Sequence, residues 1–229
     1  MDQSLKILSV GGSIVIPKTG FDIAFLQSFK KMILEEVAAG SRFILVIGGG
    51  ATCRAYQNAA KEVTELTKDD LDWIGIYTTQ FNAKFVHRLF KGHVTEAFLF
   101  NPHEKIELTE AISIGAGYEP GHSTDMDAVI LAETYGASEI LNLSNIAYAY
   151  TKDPNKFDDA EKIEQIGWQE FRDEVVGHDW DPGKSAPFDP IASKRAQELG
   201  LKVAILDGTN IDTVRKAVRG EDFDGTRIG

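Results

Sequence analysis

The chain has 229 residues, 43% of them hydrophobic and 26% charged, with a formal net charge of −11 at pH 7. That acidity argues against sequence-independent nucleic-acid binding, which relies on Lys and Arg to neutralise phosphates. It leaves room for a small anion held by local backbone N–H groups and one or two cations.

A single cysteine, Cys53, rules out an intrachain disulfide and fits a reducing compartment. Placed between glycines and a helix start, it reads as a packed, inert thiol more readily than as a nucleophile. The N-terminus shows no secretory pattern, and the longest apolar runs fall short of the roughly 20 residues a membrane span needs. A cytoplasmic protein without membrane or nucleic-acid partners is expected.

Residues 5–10 read as a strand, followed by a helix over 23–39 that Gly40 ends. A strand over 43–47 runs through Gly48–Gly49–Gly50 into a helix over 52–63, and 73–90 reads as the next helix. Strands are expected at 97–100 and 111–114, a helix at 124–135, and a strand at 139–143. Residues 152–189 break this rhythm. They hold Pro154, Pro182 and Pro187, many charges and one short helical pattern at 168–175, and read as a surface lobe or lid. A helix over 191–199 ended by Gly200, a strand at 203–206 and a helix at 211–218 complete the pattern.

Several of these strands are nearly continuous apolar runs, as befits strands covered on both faces. Their alternation with helices predicts an α/β fold, a three-layer αβα sandwich around a mostly parallel sheet. A soft boundary near Gly136–Ala137 divides this single domain into two halves.

Three turns carry candidate chemistry. The first strand ends in Gly11–Gly12–Ser13, and the second in Gly48–Gly49–Gly50 with Arg54 in the following helical turn. Glycines let backbone N–H groups approach phosphate oxygens, and a helix N-terminus adds partial positive charge. Neither turn has the Gly-Lys-Ser/Thr or G-x-G-x-x-G spacing. Each alone reads equally as a tight turn without a ligand, but two after consecutive strands converge on one crevice. The third runs from Gly115 to Asp125 and enters a helix containing Asp127. Ser123 or Thr124 is expected to cap that helix, with Asp127 completing a capping box from Thr124. His122 reads as a surface loop residue or as a base.

These turns appear in order with Pro120–Gly121–His122–Ser123–Thr124–Asp125, Asn145 through Asp153–Pro154, and Asp189–Pro190–Ile191–Ala192–Ser193–Lys194. Together they resemble the archaeal-type uridylate (UMP) kinases of the amino acid kinase superfamily, over nearly the whole chain. The resemblance implies that fold and transfer of the ATP γ-phosphoryl group to UMP. It assigns Gly12, Ser13, Gly50 and Arg54 to the ATP phosphates, and Ser144, Tyr150 and Asp153 to the adenosine. UMP would be held by Gly49, by Asp72 at the ribose, and by Tyr118, Glu119, Pro120, Gly121, His122, Ser123 and Thr124.

Lys194 would stabilise the transferring group, beside Arg54, while Asp125 organises the reaction centre by holding lysines or magnesium. Mg²⁺ would arrive with ATP, bound largely by phosphates and water. The resemblance also implies a homo-oligomer, a hexamer, with the apolar helix at 21–37 suited either to a twofold contact or to its own sheet.

The chain departs from the family at three points. Ser9 stands where many relatives carry a lysine, and Lys18 is the cation that could swing in instead. Residues 146–149 replace an Asp-Gly turn, and Tyr118 stands where a threonine meets the pyrimidine. Gly183–Lys184 reads either as a further ATP contact or as part of a connector anchored by Trp180 and Phe188. Two other functions share these motifs: a kinase for another acceptor such as isopentenyl phosphate, carbamate or a carboxylate, and a nucleotide sensor or storage protein without catalysis.

Overall fold

The computed structural model describes residues 5–154, 156–180 and 186–229. Strand β1 (Leu5–Val10) leads through the short helix α1 (Gly12–Val15) to α2 (Ile23–Ala38), which Asp22 caps by accepting the Phe25 N–H. Then come β2 (Arg42–Ile47), α3 (Gly50–Val63), α4 (Lys68–Leu89), β3 (Ile112–Gly115), α5 (Thr124–Tyr135) and β4 (Glu139–Ser144). The small strands β5 (Ala149–Tyr150), β6 (Lys162–Ile163) and β7 (Gln165–Ile166) precede α6 (Trp168–Glu170) and a π-helical turn, Phe171–Val176. Helix α7 (Pro190–Leu199), β8 (Lys202–Asp207), α8 (Ile211–Arg219) and β9 (Thr226–Ile228) end the chain.

Seven strands form one sheet in the order β3-β2-β1-β4-β8-β9-β7. Five neighbouring pairs are parallel, and only β9 runs antiparallel to β8. Alternate residues of each strand serve opposite faces, as the pleat requires. Leu8, Val10, Phe43 and Leu45 pack with α2, α4 and α8, whereas Ile7, Ile44 and Val46 pack with α5, α7 and the segment holding Trp168 and Phe171. The expected three-layer sandwich is thus present. Strand order reverses between β1 and β4, which opens a crevice at the carboxyl ends of the central strands.

The structure corrects three local readings and decides a fourth. Residues 97–100 are not a strand; Leu99 makes a single bridge to Gly115 beside the sheet edge. Helix α4 begins at Lys68, because Thr67 and Asp70 form a reciprocal capping box ahead of the apolar pattern. The stretch expected as a surface lobe contributes core, since β7 pairs with β9 and Trp168, Phe171 and Phe188 are buried. Ser123, not Thr124, caps α5, and its hydroxyl accepts the Asp125 N–H. Of the two readings for the first long helix, α2 turns Phe29, Met32 and Ile33 onto its own sheet.

Candidate active site

Two cavities of about 500 and 240 Å³ open at the carboxyl ends of β1, β2 and β4. They share Ser13, Gly49, Gly50, Arg54, Thr124 and Asn145 in their walls, so each opens beside the other across the glycine turns. These turns depend on the absence of side chains. A Cβ on Gly12 would lie 2.1 Å from the Gly50 nitrogen, and one on Gly50 would lie 2.3 Å from the Gly12 oxygen. Gly50 also has a φ of +65°, which suits glycine alone among residues without strain. Asn82, buried in α4, ties the second turn by donating its amide to the Gly48 and Gly49 carbonyls at 2.9 and 3.0 Å. Arg54 is exposed on α3 and lines both cavities, with no hydrogen bond or ion pair among the described residues.

The smaller cavity ends on a cluster of bonds that joins α5 to α7. Ser9 donates to Asp125 Oδ1 at 2.8 Å, and the Asp189 N–H donates to Asp125 Oδ2 at 3.1 Å. Asp189 in turn caps α7, accepting from Ile191 and Ala192 at 2.6 and 2.9 Å, and accepts the Ser123 N–H at 2.7 Å. Two helix N-termini are thereby pinned beside the glycine turns, where their partial positive charge favours phosphate. Burial, and then the neighbouring Asp189, push the Asp125 carboxyl up to about 6.

The larger cavity is lined by Asp72, Gly75, Ile76 and Thr79 from α4, by Glu119 and His122 from the loop after β3, and by Lys18. Asp72 Oδ2 accepts the Gly121 N–H at 2.9 Å and the Trp180 indole N–H at 3.3 Å. Cys53 also lines it, half-buried; burial pushes its thiol up, the opposite of nucleophilic activation. His122 faces Glu119 at 4.0 Å and Ser123 O at 3.1 Å. No expected capping box involves Asp127, which instead lies buried against the Tyr118 backbone and lines this cavity.

Of the residues singled out from the sequence, the structure brings Gly12, Ser13, Gly49, Gly50, Arg54, Asp72, Glu119, His122, Ser123, Thr124, Asp125 and Ser144 to the two cavities. Pro120 is absent from both walls, and Gly121 acts through its bond to Asp72. Tyr118 packs its ring edge-on to His103 at 6.1 Å rather than into either cavity. Tyr150 pairs with Lys162 in the small sheet, and Asp153 meets Lys156 at 3.1 Å, both outside the cavity walls. Lys194 is exposed one turn into α7, beyond the wall that Asp189 forms. Gly183 and Lys184 lie outside the described residues.

Sequence reasoning missed the roles of Asn82, Thr79 and Asp127. A polar residue buried in an otherwise apolar helix face was the one available signal for each.

The model of the amino acid kinase family matches residues 4–207. A uridylate kinase of Methanobrevibacter smithii is 31% identical over 226 residues, which span 97% of each chain. One of Haloarcula marismortui is 31% identical over 228 residues, again 97% of each. The crystal structure of uridylate kinase from Archaeoglobus fulgidus superposes with a TM-score of 0.82 at 27% identity, covering 99% of this chain and all of that one. The glycine turns, the paired helix N-termini and these likenesses over nearly full length lead to one assignment: the chain belongs to the amino acid kinase family.

Proposed function

We propose that this protein transfers the γ-phosphoryl group of ATP to UMP, forming ADP and UDP. The observation that carries the reading is the pair of cavities meeting at Gly49, Gly50 and Arg54, one of them furnished with the Asp72 carboxylate. A carboxylate can accept from two vicinal ribose hydroxyls, and two cavities joined at a glycine turn suit in-line transfer between two nucleotides. The full-length relatives named uridylate kinase point the same way.

On this reading Gly12, Ser13 and Gly50 offer N–H groups to the ATP phosphates, Arg54 supplies positive charge beside them from its place in both cavity walls, and Lys18 supplies it in the acceptor cavity. Lys194, one turn into α7, carries its ammonium on a flexible four-carbon stem and is the cation assigned to the group in flight. A UMP phosphate oxygen is already a nucleophile, so Asp125 acts by holding α5 against α7 rather than as a base. ATP brings Mg²⁺, which neutralises charge on its phosphates. The Asp125 and Asp189 oxygens already accept from Ser9, Ser123 and backbone N–H groups, so phosphate and water oxygens are its main ligands. The acceptor half then spans about residues 1–136 and the ATP half about 137–229.

Among the described residues no helix is long and apolar enough to cross a membrane. We place the protein in the cytoplasm, whose reducing conditions suit a chain with a single cysteine.

We place the homo-oligomeric contact on α4, not α2. Trp73, Tyr77 and Phe81 recur every four residues and are 38%, 63% and 69% exposed. The same face carries Asp70 at its start and Lys84 and Arg88 at its end. An antiparallel twofold pairing sets acid against base at both ends of this aromatic stripe. Phe81→Glu should lower the mass seen by light scattering and leave the melting temperature of the protomer nearly unchanged; an unaltered mass removes α4 from the contact.

The function is tested by ADP formation from Mg-ATP with UMP, CMP, dTMP, AMP, GMP, isopentenyl phosphate and carbamate. Turnover with UMP, reduced at least 100-fold in Lys194→Ala, is the expected result. Turnover with another acceptor alone keeps the fold and discards UMP. Silence across the panel with ATP binding intact by calorimetry selects the sensor reading.

A further inference from the structure

Asp127 is the buried carboxylate for which phosphoryl transfer has no use. It sits in the first turn of α5, only 1% exposed, yet it lines the larger cavity. Two residues along a helix rotate a side chain by about 200°. Asp127 therefore points away from the Ser9–Asp125–Asp189 cluster and lies against the Tyr118 backbone. The Tyr118 backbone N–H favours its charge, but its Oδ1 has no hydrogen-bond partner among the described residues. A buried polar atom left unpaired keeps its desolvation cost without a compensating bond. The charged groups acting on it are all acids, Glu119, Asp189 and Asp125, and with burial they push its carboxyl well above the usual carboxylate range.

The cavity divides by chemistry. Gly49, Gly50 and Arg54 suit a phosphate, and Asp72 suits a ribose. Among the remaining lining residues, Ile76, Thr79, Gly117 and Asp127 make up one wall. A Cβ on Gly117 would lie 3.0 Å from Thr79 Oγ1 and 3.5 Å from Ile76, so glycine keeps this wall flat enough for a ring. Thr79 is already engaged: its hydroxyl donates to Ile76 O at 2.7 Å and accepts the Gly117 N–H at 3.0 Å. Asp127 is the group on this wall whose bonding is unmet.

We infer that Asp127 determines base specificity, offering an O–H donor to the C4 carbonyl of a uracil in the acceptor and so selecting it over cytosine. This rests on the proposed UMP kinase reading. A uracil carbonyl accepts from a neutral carboxyl. The cytosine amino group needs an acceptor instead. The carbonyl oxygen of a neutral carboxyl is the one the Tyr118 N–H favours, so offering an acceptor to cytosine either turns the O–H against that N–H or ionises the group among three other acids. A site that leaves a polar partner unpaired with the wrong ligand discriminates well beyond what shape alone allows.

The test compares kcat/KM for UMP and CMP in the wild type, Asp127→Asn and Asp127→Val. The Asn variant keeps an N–H donor of the same shape and should hold the UMP preference to within a few fold. The Val variant should lose about 10- to 100-fold on UMP and little on CMP, collapsing the ratio. A second measurement needs no variant: 4-thio-UMP, a weaker acceptor at C4, should fall about 10-fold below UMP in the wild type. An unchanged UMP/CMP ratio in the Val variant, or an equal loss on both, overturns the inference, as does 4-thio-UMP matching UMP. If the wild type phosphorylates no nucleotide, the kinase reading falls and takes this one with it. If UMP is phosphorylated and the ratio does not move, this one falls alone.

Discussion

Asp125 and Asp127 stand two residues apart in one helical turn, the first half-buried and the second buried, and they face opposite regions of the molecule. Asp125 faces the junction of α5 and α7, where Ser9 and the Asp189 N–H each donate to one of its oxygens. Asp127 faces the acceptor cavity, where one oxygen has no partner among the described residues. The difference separates two uses of a buried acid. A carboxylate whose oxygens are taken by the protein holds elements together. One left incomplete at a cavity wall is available to a ligand.

The sharpest way to break the junction is Asp189→Ala, which strips the acceptor from Ser123, Ile191 and Ala192 N–H groups at once. Each orphaned donor costs about 1–3 kcal/mol, but water reaches the cavity side, so a net loss on the order of 3 kcal/mol is expected in urea unfolding. A loss below about 0.5 kcal/mol would mean that Asp189 pins nothing.

Asp125→Asn should have a smaller and pH-dependent effect. The folded carboxyl is raised to about 6 from an ordinary 3.8. The folded state therefore binds the proton more tightly, so this group's stabilising contribution is full below about pH 4 and is lost as pH rises through about 6. Asn cannot titrate. Between pH 5 and 8 the wild type should lose about 1 kcal/mol more stability than the variant. Parallel melting curves across that range would show that Asp125 is not the group responsible.

Much of the scaffold was legible because it is written locally. The apolar runs of β1, β2, β4 and β8 and the Gly48–Gly50 turn carry their own periodicity or punctuation. The start of α4 was missed because its first turn is charged and is fixed by a cap rather than by burial. Trp168, Phe171 and Phe188 were hidden in a proline-containing, charged stretch, and their burial depends on β7 pairing with β9, about 60 residues along the chain.

The candidate site divides the same way. Gly12, Gly50, Arg54 and Asp72 were visible as residue types in their turns and helices. The bonds from Asn82 to the glycine carbonyls and from Ser123 to Asp189 join residues 33 to 66 positions apart, which no local pattern encodes. Tyr118 illustrates the reverse: the resemblance placed it at the pyrimidine, whereas its ring packs edge-on to His103.

By itself the sequence determined the strand–helix alternation, the glycine turns at strand ends and the family motifs. These follow from backbone sterics and short-range periodicity. Only the tertiary structure decided which buried acid is complete and which is not. Asp125 and Asp127 are the same residue type in the same turn, and their hydrogen-bond partners come from distant β1, α7 and the loop after β3, gathered only when the sheet closes its layers.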